Sequence, residues 1–367
     1  PAWRAKIGKV RRPLPILFKY STHERKFFKM CTIPERFNDY LTPYKYGKPV
    51  LAPSGEEGTF DCYAADNMRI CRHNGKFYCF YIGFDGTGYR TAMATSEDLL
   101  HWEKKGVVLD AGSGRPWDDS GRAISSLLCD TDIYGNRELI KHDGKYWMFY
   151  HAYPEKGYEA GAAANGIAWT TDEDLLEWHC EELPVFEKGA DGCWDGGGLY
   201  STWIIPHDGK YMLFYNGKDS THWPWHEQVG VAFSDSFYNW KRYENNPILK
   251  VTPNHWDSYF SCGQHVLFDS RKNRWVMFYC GFDSKHAQEG VAISDDMLNW
   301  EKCPEPIITV GKDTELDSTH AHKPCVIYHD DMLWHFYCAV RPTETEEEKA
   351  RFGNEYRCLT VARSKPF

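Results

Sequence analysis

The chain has 367 residues, of which 42% are hydrophobic, 26% charged and 16% aromatic, a balance that supports a packed core and excludes general disorder. Its 43 Lys and Arg against 52 Asp and Glu leave a net charge of -9, which is not the electrostatic footprint of a nucleic-acid binder. No stretch reaches the roughly 18 apolar residues of a membrane-spanning helix.

Taken in chain order, residues 1–36 read as an arm, basic from Arg4 to Arg12, with a short helix expected in THERKFFKM. This arm is a candidate homodimer contact. Thirteen cysteines form no CxxC pair, so zinc-ribbon spacing is missing. Free thiols inside strand-like runs behave as small hydrophobes and suit a reducing, cytoplasmic compartment. A signal peptide removed before Pro1 would leave the same record.

From Phe37 onward the chain repeats. SEDLLHW at Ser96 returns as DEDLLEW at Asp172, SDSFYNW at Ser234 and SDDMLNW at Ser294, with the tryptophans 76, 62 and 60 residues apart. Each copy is preceded by a turn and an aromatic strand: HNGKFYCFY, HDGKYWMFY, HDGKYMLFY and RKNRWVMFY, with HDDMLWHFY following last. Short strands such as TAMATS and VGVAFS lie between the two strings, and fourth strands such as NNPILKV follow the tryptophan. Four strands in about sixty residues predict a propeller blade.

The last unit ends at Phe367 without a fourth strand, whereas FNDYLTPYKYGKPVLAP (Phe37 to Pro53) has a fourth-strand pattern. The expected fold is therefore all-β: a five-bladed β-propeller over residues 37–367, closed by an N-terminal strand that completes the last blade. An aromatic-Asp or Leu-Asp pair opens each unit, at Asp61, Asp118, Asp195, Asp257 and Asp317. A residue present in every unit reads as structural, here as a backbone-bonding Asp.

Residues that break the repeat are the functional candidates. Asp66, in ADNMRI, stands where other units have Tyr200, Cys262 and His322; a turn cap is the plain alternative. The units with ADNMRICRHNGKFYCFYIG and RTAMATSEDLLHW resemble the five-bladed propeller glycosidases, including glycoside hydrolase families 43, 32, 117 and 130, with no single family matched closely. That resemblance implies a first-blade Asp as general base or nucleophile, which Asp66 matches although Asn67 stands where Pro is usual.

The resemblance also implies an acid in blade two, for which Glu138 beside Arg137 is the candidate and Asp132 the alternative. In blade three the family Glu is replaced by Tyr200-Ser201. Glu227, in HWPWHEQ, is the substitute general acid, against the plain reading of a solvated loop Glu. Glycosidic cleavage needs one protonated carboxyl at the leaving oxygen and one carboxylate across the sugar ring.

Expected substrate-binding residues are Asn67, Arg90, Arg137, Trp223, Trp225, His265, His320, His322 and Lys323, with Arg122 as a further candidate. Aromatic rings suit stacking on a sugar face, and His265 also reads as a core histidine. No cofactor is required, though the resemblance places a structural or axial metal ion near His322. The expected function is an exo-acting glycoside hydrolase that removes a terminal sugar from an oligo- or polysaccharide. The alternatives are a phosphorylase of the family 130 kind, in which His320, His322 and Lys323 hold phosphate, and a non-catalytic carbohydrate-binding propeller.

Overall fold

The computed structural model describes residues 33–367; the basic arm, with the helix expected at THERKFFKM, lies outside them. The chain is nearly all-β. A 3₁₀ turn at Glu35–Tyr40 buries Phe37 and Tyr40 in the core, so packing begins just ahead of the expected boundary at residue 37. The Tyr40 hydroxyl donates to Asp269 Oδ2 at 2.6 Å.

The strands are β1 (Tyr44–Lys45), β2 (Ala64–His73), β3 (Lys76–Phe84), β4 (Tyr89–Ser96), β5 (Glu103–Leu109), β6 (Gly121–Leu127), β7 (Tyr146–Tyr153), β8 (Ala164–Thr170), β9 (His179–Cys180) and β10 (Gly198–His207). They continue as β11 (Lys210–Lys218), β12 (Glu227–Ser234), β13 (Lys241–Arg242), β14 (Phe260–Asp269), β15 (Arg274–Phe282), β16 (Ala287–Ser294), β17 (Glu301–Lys302), β18 (His320–His329), β19 (Met332–Pro342) and β20 (Glu355–Arg363). One short helix, α1 (Glu346–Phe352), precedes β20.

Neighbours pair antiparallel in sets: β2 to β5, β6 to β9, β10 to β13, β14 to β17, and β18 to β20. β1 adds to β20, with Tyr44 opposite Arg363. The first strands touch in succession, β2 on β6, β6 on β10, β10 on β14, β14 on β18 and β18 on β2. Because they are packed on both faces, strands such as β2 and β7 are buried along almost their whole length with little alternation.

The recurring strings have local causes. Asn74-Gly75, Asp143-Gly144 and Asp208-Gly209 take positive φ at both positions, the geometry of a tight hairpin whose twist matches its strands. The motif tryptophans Trp102, Trp178, Trp240 and Trp300 donate their indole N–H to the carbonyls of Leu99, Leu175, Phe237 and Met297. These rings are therefore framework.

The recurring Asp is structural in a different way from the one expected. It forms ion pairs with bases of the fourth strand: Asp61 with Lys104 and Asp257 with Lys302 at 2.6 Å, and Asp195 with Arg242 at 2.8 Å. β9 offers Cys180 there, and Asp118 pairs instead with Arg115 and with Arg122 on β6. Asp317 pairs with Lys45 of β1 at 2.6 Å, so the N-terminal strand supplies the base that a fourth strand supplies elsewhere. All described cysteines are free.

Candidate functional site

Each first strand carries a register shift near its start, between Asp66 and Met68, Ile124 and Ser126, Leu199 and Thr202, Cys262 and His265, and His322 and Cys325. Such a bulge inserts an extra residue and re-aims the side chain there. Asn67, Ser201, Gly263 and Lys323 occupy four of these insertions and line one cavity of about 690 Å³. Asn67 and Lys323 have φ of 33° and 65°, which is strained for residues with a Cβ.

Asp66 lies behind this wall and is fully buried. Its Oδ2 accepts from Lys323 Nζ at 2.6 Å and Arg357 Nη1 at 3.1 Å, and its Oδ1 from the Asn67 amide at 2.7 Å. Burial alone would raise its pKa, but Lys323 and Arg357 outweigh that and hold the carboxyl below the ordinary range. Asp66 is thus a fixed anion that anchors two cations. This corrects its expected position facing substrate: the bulge turns Asn67 toward the cavity and Asp66 away.

Glu227 begins β12 and faces the cavity, 7% exposed. Asn216 Nδ2 donates to its Oε2 at 2.8 Å, and Trp225 Nε1 to its Oε1 at 3.0 Å. Burial, then the charge of Glu159, raises its pKa above the usual carboxyl value, against the opposing pull of Lys218 and the two donors. Both oxygens are oriented, and the proton is held to a higher pH than on an ordinary carboxyl.

Glu159 is the second acid on the cavity wall. It sits in the loop between β7 and β8 at φ 50°, with one carboxylate oxygen 3.8 Å from Lys323 Nζ. That loop is pinned by the Gly157 amide, which donates to the Thr87 carbonyl at 2.9 Å. Sequence reasoning missed Glu159 because it belongs to no repeated string.

The floor is Arg69, which was also missed. Its Nε donates to the Ser125 carbonyl at 2.5 Å, Nη1 to the Pro324 carbonyl at 3.2 Å and Nη2 to Ser201 Oγ at 3.2 Å. One side chain from β2 therefore ties β6, β10 and the β18 bulge together and closes the axis. His151 lines the wall with Nδ1 2.9 Å from Ser125 Oγ. Burial, with Lys323 and Arg69 nearby, lowers its pKa to about 3, so it is a neutral partner for a hydroxyl.

The other expected residues divide. Trp223, half exposed, and Trp225 line the cavity, stacked on Tyr259 and Phe260 at centroid distances of 5.1 and 6.2 Å. His320 and His322 line it as well; burial lowers the His320 pKa to about 4 and takes His322 well below its usual value.

Glu138 does not reach the cavity. It bridges Arg72, five residues along β2 from Asn67, or about 16 Å at strand rise. Its neighbour Arg137 is buried at φ 58° and donates to the Asp130 carbonyl. The Asp132 alternative is likewise in a turn, bridged to Phe268. Arg90 is held by Asp85 and Asp110 at 2.9 and 3.0 Å, and Arg122 by Asp118. His265 is a core histidine beneath the floor, accepting from the Val326 amide at 2.8 Å.

The group Asp66, His322 and Cys338, with ligand atoms within 4.8 Å of one another, tests the expected axial metal. Asp66 Oδ2 already faces two cations, and His322 Nε2 is 3.3 Å from Arg357 Nη1. A divalent ion there would meet an ammonium and a guanidinium, so these residues do not fit one.

Removing the Asp66 charge by Asp66→Asn leaves Arg357 with only the half-exposed Glu355 and Lys323 with only Glu159 at 3.8 Å. The expected loss is about 3–5 kcal/mol of stability, read by urea unfolding at pH 7; a change below about 1 kcal/mol would refute the anchoring role. Because the folded pKa is depressed, this stabilisation is complete above the unfolded value of about 3.9. It is lost as pH falls from there toward the folded pKa.

Residues 136–309 match the model of the glycosyl hydrolases family 32 N-terminal domain. The chain is 25% identical over 187 residues to a 1,2-beta-oligomannan phosphorylase of Thermoanaerobacter sp. (strain X514), covering 50% of this chain and 51% of that protein. It is 30% identical over 183 residues to beta-fructofuranosidase, insoluble isoenzyme CWINV1, of Arabidopsis thaliana, covering 45% of this chain and 28% of the relative. Thus it spans about half the length of the first and little over a quarter of the second. The solved structure of a glycoside hydrolase superposes with a TM-score of 0.75 at 28% identity, covering 95% of this chain and 97% of that one. The chain resembles the propeller glycosidases as a group, without a close match to one family.

Proposed function

We propose that the chain is an exo-acting glycoside hydrolase, built as a closed five-bladed propeller with its active site in the axial cavity. The seating of β1 on β20 and the cyclic contacts of the five first strands support the ring. A cavity of about 690 Å³ is of ligand-pocket size. Its floor is plugged by Arg69, and a blind pocket admits the end of a sugar chain rather than its middle.

The observation that carries the reading is two carboxyl groups, Glu159 and Glu227, on one cavity with opposite surroundings. Glu227, whose burial and acidic neighbour raise its pKa, gives its proton to the leaving oxygen. Glu159, beside the Lys323 ammonium, attacks the anomeric carbon or draws a proton from the attacking water. Trp223 and Trp225 stack on the sugar, and Asn67 and neutral His151 bond its hydroxyls. Asp66 acts through Lys323, as a positioning residue.

The similarity to an oligomannan phosphorylase favours a second reading, phosphorolysis. Against it, Lys323 and Arg357 are already paired with Asp66, Arg357 also with Glu355, and His320 and His322 are neutral. A phosphate would have to compete with carboxylates already in place. The test is a panel of terminal glycosides that begins with β-fructofuranosides and β-1,2-oligomannans, assayed with and without phosphate. Free monosaccharide released at a rate independent of phosphate is expected. Phosphate-dependent release of a sugar 1-phosphate would establish the second reading, and no release from any substrate would sink both.

A further inference from the structure

The two acids of the cavity share one buried cation in their supports. Lys218, at the end of β11, is 3% exposed, and among the described residues it forms no ion pair with a carboxylate. It stands directly opposite Glu227 in the register of β11 and β12. Its Nζ sits over one face of Trp225, 3.8 Å from the ring centre, where the negative ring face holds an ammonium. That same indole donates to Glu227 Oε1 at 3.0 Å. Asn216, two residues before Lys218 and so on the same face of β11, donates to the other Glu227 oxygen.

The ammonium also reaches the loop of the second acid. Lys218 Nζ donates to the Tyr200 hydroxyl at 3.3 Å, and that hydroxyl donates to the Gly161 carbonyl at 3.5 Å, in the loop that carries Glu159. The titratable groups facing Glu227 are Glu159, Tyr153 of β7, Tyr200 of β10, Lys218 of β11 and Cys262 of β14. Its chain neighbour His226 is turned to Asp219 at 3.0 Å. Burial keeps the two phenols neutral, and contact with Cys280 together with burial does the same for the thiol. Glu159 and Lys218 are then the charges that Glu227 meets, because Lys323 and Arg357 are committed to Asp66.

We propose that Lys218 is a positioning residue for the reaction: it ties together the supports of Glu227 and Glu159 and supplies the positive charge that meets Glu227 once its proton has gone. The inference rests on the acid role proposed for Glu227. When the proton passes to the leaving oxygen, Glu227 becomes a buried carboxylate facing Glu159, a costly arrangement without a nearby cation. Lys218 offsets that cost in each turnover. Held over the indole rather than in an ion pair, it eases formation of the anion without fixing the acid in its ionised form.

The test follows Glu227 in the whole protein without substrate, through the infrared carboxyl band that Glu227→Gln removes. Lys218→Met and Lys218→Gln are expected to move its titration about one pH unit higher, because loss of the cation disfavours the carboxylate. Lys218→Gln keeps a donor for Tyr200, so a shift common to both variants belongs to the charge. Lys218→Arg, which keeps the charge, should titrate near the parent. On a glycoside that the parent cleaves, both uncharged variants should lose about tenfold in kcat, with the alkaline limb of the pH profile moved up alongside the band. A band that titrates as in the parent in either folded uncharged variant would overturn the proposal, as would turnover lost at every pH with the limb unmoved. If neither uncharged variant folds, Lys218→Arg decides: titration near the parent upholds the proposal and titration far from it overturns it. Failure of the whole glycoside panel would instead sink the acid role and leave the titration standing.

Discussion

Glu227→Gln is expected to lower kcat by about 10²–10⁴-fold on substrates with a sugar leaving group, the usual contribution of a positioned general acid. The amide keeps the size of the side chain and can still meet Asn216 and Trp225, but it has no proton to give. A substrate whose leaving group departs without protonation, such as a dinitrophenyl glycoside, should lose far less. Comparing the two substrates on the same preparation is therefore the decisive measurement, and an equal loss on both would refute the acid role. The pH profile adds a sign. Burial and then Glu159 raise the Glu227 pKa, so the active protonated form persists above the ordinary carboxyl range. Activity should fall as pH rises through that raised value. In the Gln variant this alkaline limb should disappear.

Glu159→Ala is expected to reduce turnover by about 10³-fold or more on every substrate, activated ones included, because the group that forms or assists the new bond is gone. Azide can enter the vacated space and should restore part of the rate on a dinitrophenyl glycoside, giving a glycosyl azide. The anomeric configuration of the sugar first released by the unaltered protein separates an attacking carboxylate (retention) from one that activates water (inversion). Folding is checked by Tm, since Glu159 sits in a loop and makes its cation contact at 3.8 Å. Turnover within tenfold of the parent would exclude Glu159 from the reaction.

Much of the site was open to sequence reasoning. Alignment of the third strands on their shared Ser or Thr (Ser96, Thr170, Ser234, Ser294, Ser364) places Tyr89, Ala163, Glu227, Ala287 and Arg357 seven residues earlier. The two charged residues stand out in that column, yet only Glu227 was expected. Arg357 proves to be the second cation on Asp66. The first-strand column was legible to within one residue. A bulge changes which neighbour faces the axis, and so Asn67 lines the cavity as expected while Asp66 is turned behind it.

Other errors have their own causes. Glu138 follows an insertion that returns to the far end of β2, and no spacing rule reveals where an irregular segment lands. Glu159 sits in a loop whose placement depends on a backbone contact to Thr87 from the neighbouring set of strands.

By itself, the sequence determined what repeats: Asn-Gly and Asp-Gly hairpins, tryptophans that cap their own turns, and an Asp in every unit. These are short-range rules, satisfied by contacts within one unit or between adjacent strands. Tertiary structure alone decided which acids share a cavity. Residues 159, 227 and 323 come from three different sets of strands and meet only where bulged strands converge on the axis. Their protonation states follow from the same convergence, because burial and neighbouring charge, rather than residue type, set whether a carboxyl there gives a proton or holds a cation.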